Sequence, residues 1–156
     1  MSTHMNLDEL KTSRTVVINA PAETLYDLVA DLPRMQEWSP ASKGATWDEG
    51  AGPTAGSWFT GHNLMGGNTY DTRCEITEAE RPTVIAWMSN GKEKGVTEWR
   101  YTFTPTDGGT EVTESWTPVR QFPPERADEA RVRGMAANFG NLIEQTLANL
   151  KAAAES

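Results

Sequence analysis

The spacing of hydrophobic positions changes character along the chain, and each change marks an element. The β-branched run from Thr15 to Asn19 predicts a short strand. Pro21 then opens a segment, Ala22 to Ala30, in which Leu25, Leu28, Val29 and the following Leu32 recur at helical spacing. Asp31 is suited to cap a second short helical turn through Arg34 and Met35, which ends before Trp38-Ser39-Pro40. From there a period of two takes over. Strands are expected at Ser42–Asp48, Ser57–Asn63, Asn68–Glu80, Thr83–Ser89, Gly95–Pro105 and Gly109–Thr117. Their junctions carry turn residues at Gly66-Gly67-Asn68, Asn90-Gly91 and Asp107-Gly108-Gly109. These links are too short for parallel crossovers, so the pairing is antiparallel.

Pro118 to Pro124 breaks the alternation and leads into a long helix from Glu125 to about Lys151. Val132, Met135, Ala136, Phe139, Leu142, Ile143, Leu147 and Leu150 give that helix one broad apolar face. The expected class is α+β: a seven-stranded, bent antiparallel sheet wrapped around a long C-terminal helix, with two short helices after the first strand. Residues 1–13 are expected to form a loose arm in which His4 is a tail residue, 14–151 a single domain, and 152–156 a fraying end.

Composition narrows the function classes. The chain has 156 residues, enough for one domain with a substantial core, and 22 acidic against 14 basic residues leave a net charge of -8. That sign disfavours nucleic acid and anionic bilayers as partners. A single cysteine excludes an intrachain disulfide and a thiolate cluster, and two histidines leave little for a metal site; no metal and no cofactor are expected. The start lacks a secretion-type apolar core and no run reaches membrane-spanning length, so a cytoplasmic protein without integral membrane association is expected. Gly50 to Gly56 is glycine-rich but lacks the lysine of a phosphate loop. Exposed sheet edges are compatible with a monomer or a homodimer.

Six tryptophans between Trp38 and Trp116 must fill a core or line a hollow one. Alternation puts Trp99, Tyr101 and Phe103 on one face of their strand, and Val112, Glu114 and Trp116 on the matching face of the next. Glu114 is thus a carboxylate among aromatics, and it needs a partner, water or a raised pKa. Its candidate roles are a fixed structural group, a ligand hydrogen-bonding group, or a general base with Tyr101 as donor to a developing oxyanion. Phe59, Gly61 and Asn63 share one face against Trp58, Thr60 and His62. His62 reads as a surface residue, because no inward aspartate accompanies it. Cys74 shares a face with Tyr70, Thr72 and Ile76 and reads as a small buried residue; Trp87 shares an inward phase with Ile85, which leaves Ala86 and Met88 outside or against the edge. Met135, Phe139 and Ile143 form a back wall on the long helix, as core or as ligand contacts. Gly134 and Gly140 weaken that helix; either can admit a close neighbour, with surface solvation the alternative for Gly140.

Particular strings add a resemblance. The segments VINAPAETLYDLVAD (Val17 to Asp31), MQEWSP (Met35 to Pro40), ITEAERPTVIAW (Ile76 to Trp87) and WRYTFTPTDGGTEVTESW (Trp99 to Trp116) occur in that order. Together they resemble the START-related, or SRPBCC, helix-grip superfamily, nearest to its bacterial polyketide cyclase/dehydrase and lipid-transport group. The resemblance implies an apolar cavity between sheet and C-terminal helix, favours the Phe59 set as inward, and places Trp38 at the cavity mouth. A cavity of roughly 300 to 1,000 Å³ is expected. The leading expectation is that a small hydrophobic or aromatic ligand (lipid, aromatic or polyketide-like) binds there, in a carrier or sensor. Its candidate contacts are Trp38, Phe59, Asn63, Cys74, Trp87, Trp99, Tyr101, Glu114, Trp116, Met135, Phe139 and Ile143. The alternatives are a cyclase/dehydratase in which Glu114 moves a proton, and a protein-interaction module of the chaperone-activator kind, with a filled cavity and an exposed apolar patch.

Overall fold

In the computed structural model, which describes residues 5–49, 52–123 and 128–156, the chain forms seven strands and two α-helices. In chain order these are β1 (Thr12–Ile18), α1 (Ala22–Ala30), a 3₁₀ turn (Leu32–Glu37), β2 (Ser42–Glu49), β3 (Trp58–Met65), β4 (Asn68–Glu80), β5 (Val84–Ser89), β6 (Thr97–Thr106), β7 (Gly109–Pro118) and α2 (Glu129–Glu155). The sheet order is β1-β7-β6-β5-β4-β3-β2 and every neighbouring pair is antiparallel. Consecutive strands from β2 to β7 pair as hairpins. The first strand closes against the last, so α1 and the 3₁₀ turn carry the chain from one edge of the sheet to the other. This is the helix-grip fold expected from the sequence.

Local chemistry explains the joints. Gly66 and Gly67 both take positive φ, 58° and 85°, which is what a two-residue β3–β4 hairpin needs to match strand twist. Asp128 caps α2 by accepting from the Arg131 backbone N–H at 2.9 Å. The expected helix start at Glu125 lies outside the described residues, as does His4.

Two expectations about the ends are corrected. Residues ahead of the domain are not a loose arm throughout: a 3₁₀ turn at Leu7–Glu9 precedes β1, Leu10 is 1% exposed in the core, and Thr12 and Ser13 already pair with Trp116 and Ser115. Leu10 buries its side chain where the sequence offers only two isolated leucines. At the other end α2 continues through Glu155 rather than fraying after residue 151. Its last turn is held because Glu155 accepts from the Asn19 backbone N–H at 2.8 Å and from Lys151 Nζ at 2.7 Å.

The core lies between the concave face of the sheet and the two helices. Val132, Ile143, Leu147 and Leu150 of α2 join Leu25, Tyr26 and Val29 of α1 and the inward residues of the strands. Ala86 and Met88 point outward as expected but are buried as well, since the loop after β5 folds back so that Met88 Cε lies beside Gly95. The two helix glycines differ. A Cβ on Gly140 would meet Arg14 Nη2 at 2.8 Å and Thr12 Oγ1 at 3.0 Å, so this glycine lets β1 close on α2; around Gly134 nothing lies within 4 Å. Gly134→Ala should therefore stabilise the fold by up to about 1 kcal/mol and raise Tm by about 2–4 °C, with no such gain from Gly140→Ala. Paired thermal melts check this; equal shifts would remove the assigned role of Gly140.

Candidate functional site

Gripping a single helix leaves the sheet's concave face incompletely filled, and a cavity of about 560 Å³ lies between β3–β7 and α2. Its walls follow from strand phase. On β6 and β7 the inward row supplies Trp99, Tyr101, Glu114 and Trp116; on β5 it supplies Trp87; on β3 and β4 it supplies Phe59, Asn63 and Cys74. Registers join these rows: Trp99 opposes Trp116, Tyr101 opposes Glu114, Trp87 opposes Trp99, and Phe59 opposes Cys74. Met135 and Phe139 on α2 complete the set. Phe139 meets Trp99 edge-on at 5.1 Å between ring centroids and Trp116 at 5.0 Å, so it bridges the helix to the aromatic floor.

Ten of the twelve expected contacts thus surround one space. The other two do not line it. Trp38 is 2% exposed and forms part of the core, its backbone carbonyl accepting from Asn149 Nδ2 at 2.9 Å; it plugs the packing between the 3₁₀ turn and α2 instead of covering the mouth. Ile143 is fully buried in the core, one turn beyond Phe139 on the same face of α2. Its place in a strong apolar heptad-like pattern could not separate core from lining.

Tyr70, Met65 and Met35 border the cavity's outer end, and Tyr70 and Met65 remain 48% and 41% exposed. This end was not singled out from the sequence, although Tyr70 and Thr72 share the face of Cys74. Thr72 contributes a second polar point, accepting from Asn63 Nδ2 at 3.0 Å. Thr146 was missed as well: it lies on the apolar face of α2, and its hydroxyl is satisfied by donating to the Leu142 carbonyl at 2.8 Å. A lone polar residue in step with Phe139, Ile143 and Leu150 was the available signal.

The electrostatics centre on Glu114, 5% exposed on the cavity wall. Burial pushes its carboxyl up to about 8, and hydrogen bonding with Tyr101 opposes this in part. Tyr101 is itself pushed well above its ordinary value, first by burial and then by the facing Glu114. Both shifts favour the protonated forms, a carboxylic acid at Glu114 and a phenol at Tyr101. Cys74 is driven up to about 12 by burial, so its thiol is a wall atom and not a nucleophile.

His62 lies on the other face of β3, as expected of a surface residue. Its Nδ1 lies 2.8 Å from Asp71 Oδ1 and its Nε2 2.9 Å from Thr46 Oγ1. Arg73 is also on that face, paired with Asp48 at 2.8 Å and stacked over Trp58 at 4.5 Å. Among the described residues no group of three or more His, Cys, Asp or Glu could hold a metal ion, and no helix is long and apolar enough to cross a membrane.

Comparison with known proteins agrees with the geometry. The chain is similar over 92% of its length to a Polyketide_cyc-like protein, Cgl2372, of Corynebacterium glutamicum, at 29% identity with a TM-score of 0.63 and 91% of that chain covered. The fold is shared with major latex-like protein 151 of Panax ginseng at 14% identity (TM-score 0.70, 92% and 96% covered). It is shared too with StfQ, a di-domain ARO/CYC from the steffimycin biosynthetic pathway, at 16% identity (TM-score 0.74); 94% of this chain covers 50% of StfQ. Among curated proteins, none is similar enough in sequence to count as a match. Residues 9–155 match the family described as polyketide cyclase/dehydrase and lipid transport, and the chain belongs to that family.

Proposed function

We propose that this protein binds a small, largely apolar molecule in the cavity between β3–β7 and α2, as a carrier or sensor. The observation that carries this reading is the 560 Å³ space itself, whose walls are mostly aromatic and aliphatic and whose polar lining side chains, apart from the buried Glu114 and Thr146, are at least partly exposed. That combination is what a pocket for a drug-sized apolar ligand requires: area for the hydrophobic term, and a small number of polar groups for orientation. A core of this size left hollow loses packing contacts along its whole lining, a cost that a bound molecule recovers. The open volume also runs against the interaction-module alternative, which calls for a filled interior.

Native mass spectrometry of freshly isolated protein should show an adduct that denaturation releases as a discrete small molecule, and Nile red should bind the stripped protein with a blue-shifted emission. Protein that carries no adduct and leaves Nile red unshifted would sink the binding reading.

The enzyme reading draws on a different observation, the buried Glu114–Tyr101 pair. A neutral carboxylic acid and a phenol directly opposed across β6 and β7 can present two protons to one carbonyl oxygen, an arrangement suited to enolisation or water loss. Family membership is compatible with either reading. Product formation from an extracted ligand, followed under single-turnover conditions, separates catalysis from carriage.

A further inference from the structure

Glu114 Oε1 is buried on the cavity wall and has no hydrogen-bond partner among the described residues. Thr77 Oγ1 is the other such side-chain atom, and Thr77 does not line the cavity. An unpaired buried oxygen is destabilising by about 1–3 kcal/mol, and it is tolerated where a ligand completes it. The question is which ligand chemistry fits, and the answer rests on the binding reading above.

The groups around the carboxyl fix its state. On β6, Tyr101 stands opposite it; on β1, Arg14 stands opposite it. Arg14 is turned away: its Nη1 donates to the Ser13 carbonyl at 2.9 Å and to Thr12 Oγ1 at 3.3 Å, and its Nε lies 3.9 Å from Glu144 of α2. Around this stretch α2 contributes Phe139, Leu142 and Thr146 to the cavity, and the Thr146 hydroxyl is already spent on Leu142. Among the described residues no cation therefore faces Glu114, and burial favours its neutral form. Tyr101 also keeps its proton. Because Oε1 has no partner and lies on the cavity wall, it is the carboxyl oxygen that a ligand can complete.

We propose that Glu114 Oε1 donates a hydrogen bond to the ligand, so that the cavity selects a flat, largely apolar molecule with a carbonyl oxygen at the end that reaches β7, and discriminates against an isosteric ammonium. The edge-on and tilted rings of Trp99, Trp116 and Phe139 supply the surfaces on which a flat ring system packs.

Calorimetric titration with three isosteres tests this: 2-acetylnaphthalene, 2-isopropenylnaphthalene and protonated 1-(2-naphthyl)ethylamine. At pH 6 the ketone should bind about three- to tenfold tighter than the hydrocarbon, the worth of one neutral hydrogen bond, and tighter still than the ammonium. The ketone's advantage should disappear by pH 9.5, where the acid has lost its proton. Glu114→Gln places an amide N–H₂ where the acid O–H was, so it should keep the ketone preference at both pH values. Glu114→Leu should erase the preference at both while still binding the hydrocarbon. An ammonium that binds tighter than the ketone at pH 6 overturns the proposal, as does a ketone-to-hydrocarbon ratio unchanged in Glu114→Leu. If the hydrocarbon binds and the ketone gains nothing, this proposal alone fails. If none of the three binds and no native adduct exists, the binding reading fails with it.

Discussion

Glu114→Gln is expected to make the folded state more stable at pH 8 by about 3–5 kcal/mol, while leaving it almost unchanged at pH 4. The sign follows from linkage. Burial raises the carboxyl from 4.5 to about 8 in the folded protein, whereas the unfolded chain releases that proton near the ordinary value. Between those two values the native state holds a proton that the unfolded state has lost, so stability falls as pH rises through the window and levels off above it. At roughly 1.4 kcal/mol per pH unit, a window of this width corresponds to roughly 5 kcal/mol at its full extent. Glutamine removes the titration and retains the shape. Groups such as Asp27 and Glu37, which are lowered chiefly by hydrogen bonds from Arg81 and Arg34, act in the opposite direction but equally in both proteins. The difference between the two urea-unfolding series, taken from pH 4 to pH 9, therefore isolates Glu114. Parallel series would mean that Glu114 is ionised and solvated in the folded protein, and both its neutral state and the carbonyl preference would fall together. A residue whose replacement stabilises the fold is one kept for something other than stability.

The parts of the molecule that were legible in the sequence are those governed by periodicity. Val112, Glu114 and Trp116 sit inward as alternation requires, and Trp99 and Tyr101 oppose them in register. A carboxylate in an aromatic phase is visible without a structure, since nothing in a strand can move one side chain to the other face without a bulge. What periodicity does not carry is distance along an axis. Ile143 and Phe139 share a helix face four residues apart, yet one is sealed in the core and the other is partly buried on the cavity wall. Trp38 reads as a mouth residue by resemblance, but the Asn149 contact that fixes it in the core joins residues 111 positions apart. The proton on Glu114 belongs to the same class. Whether Arg14 neutralises it depends on a rotamer drawn aside by Thr12 and Ser13, not on the pairing of β1 with β7.

That contrast on α2 gives the second large effect. Ile143→Ala should lower stability by about 2–5 kcal/mol, because the removed atoms leave a new void in a fully packed region. Its effect on Nile red affinity should stay within about threefold, since the side chain does not reach the cavity. Phe139→Ala should behave the other way round. The ring is only partly buried and already borders open volume, so its loss enlarges an existing space instead of creating one, and the stability change should be about 1–2 kcal/mol. Affinity should drop about tenfold or more, because the ring that bridges Trp99 and Trp116 is gone and the ligand loses an aromatic wall. Urea unfolding and dye titration on both variants measure the two quantities separately. A Phe139→Ala protein that loses as much stability as Ile143→Ala and binds the dye unchanged would move Phe139 into the core and shrink the site to the sheet face. The opposite crossing of the two variants would show that α2 is both the structural spine of the fold, through Ile143, and one wall of its binding site, through Phe139, with a single helical turn separating the two roles.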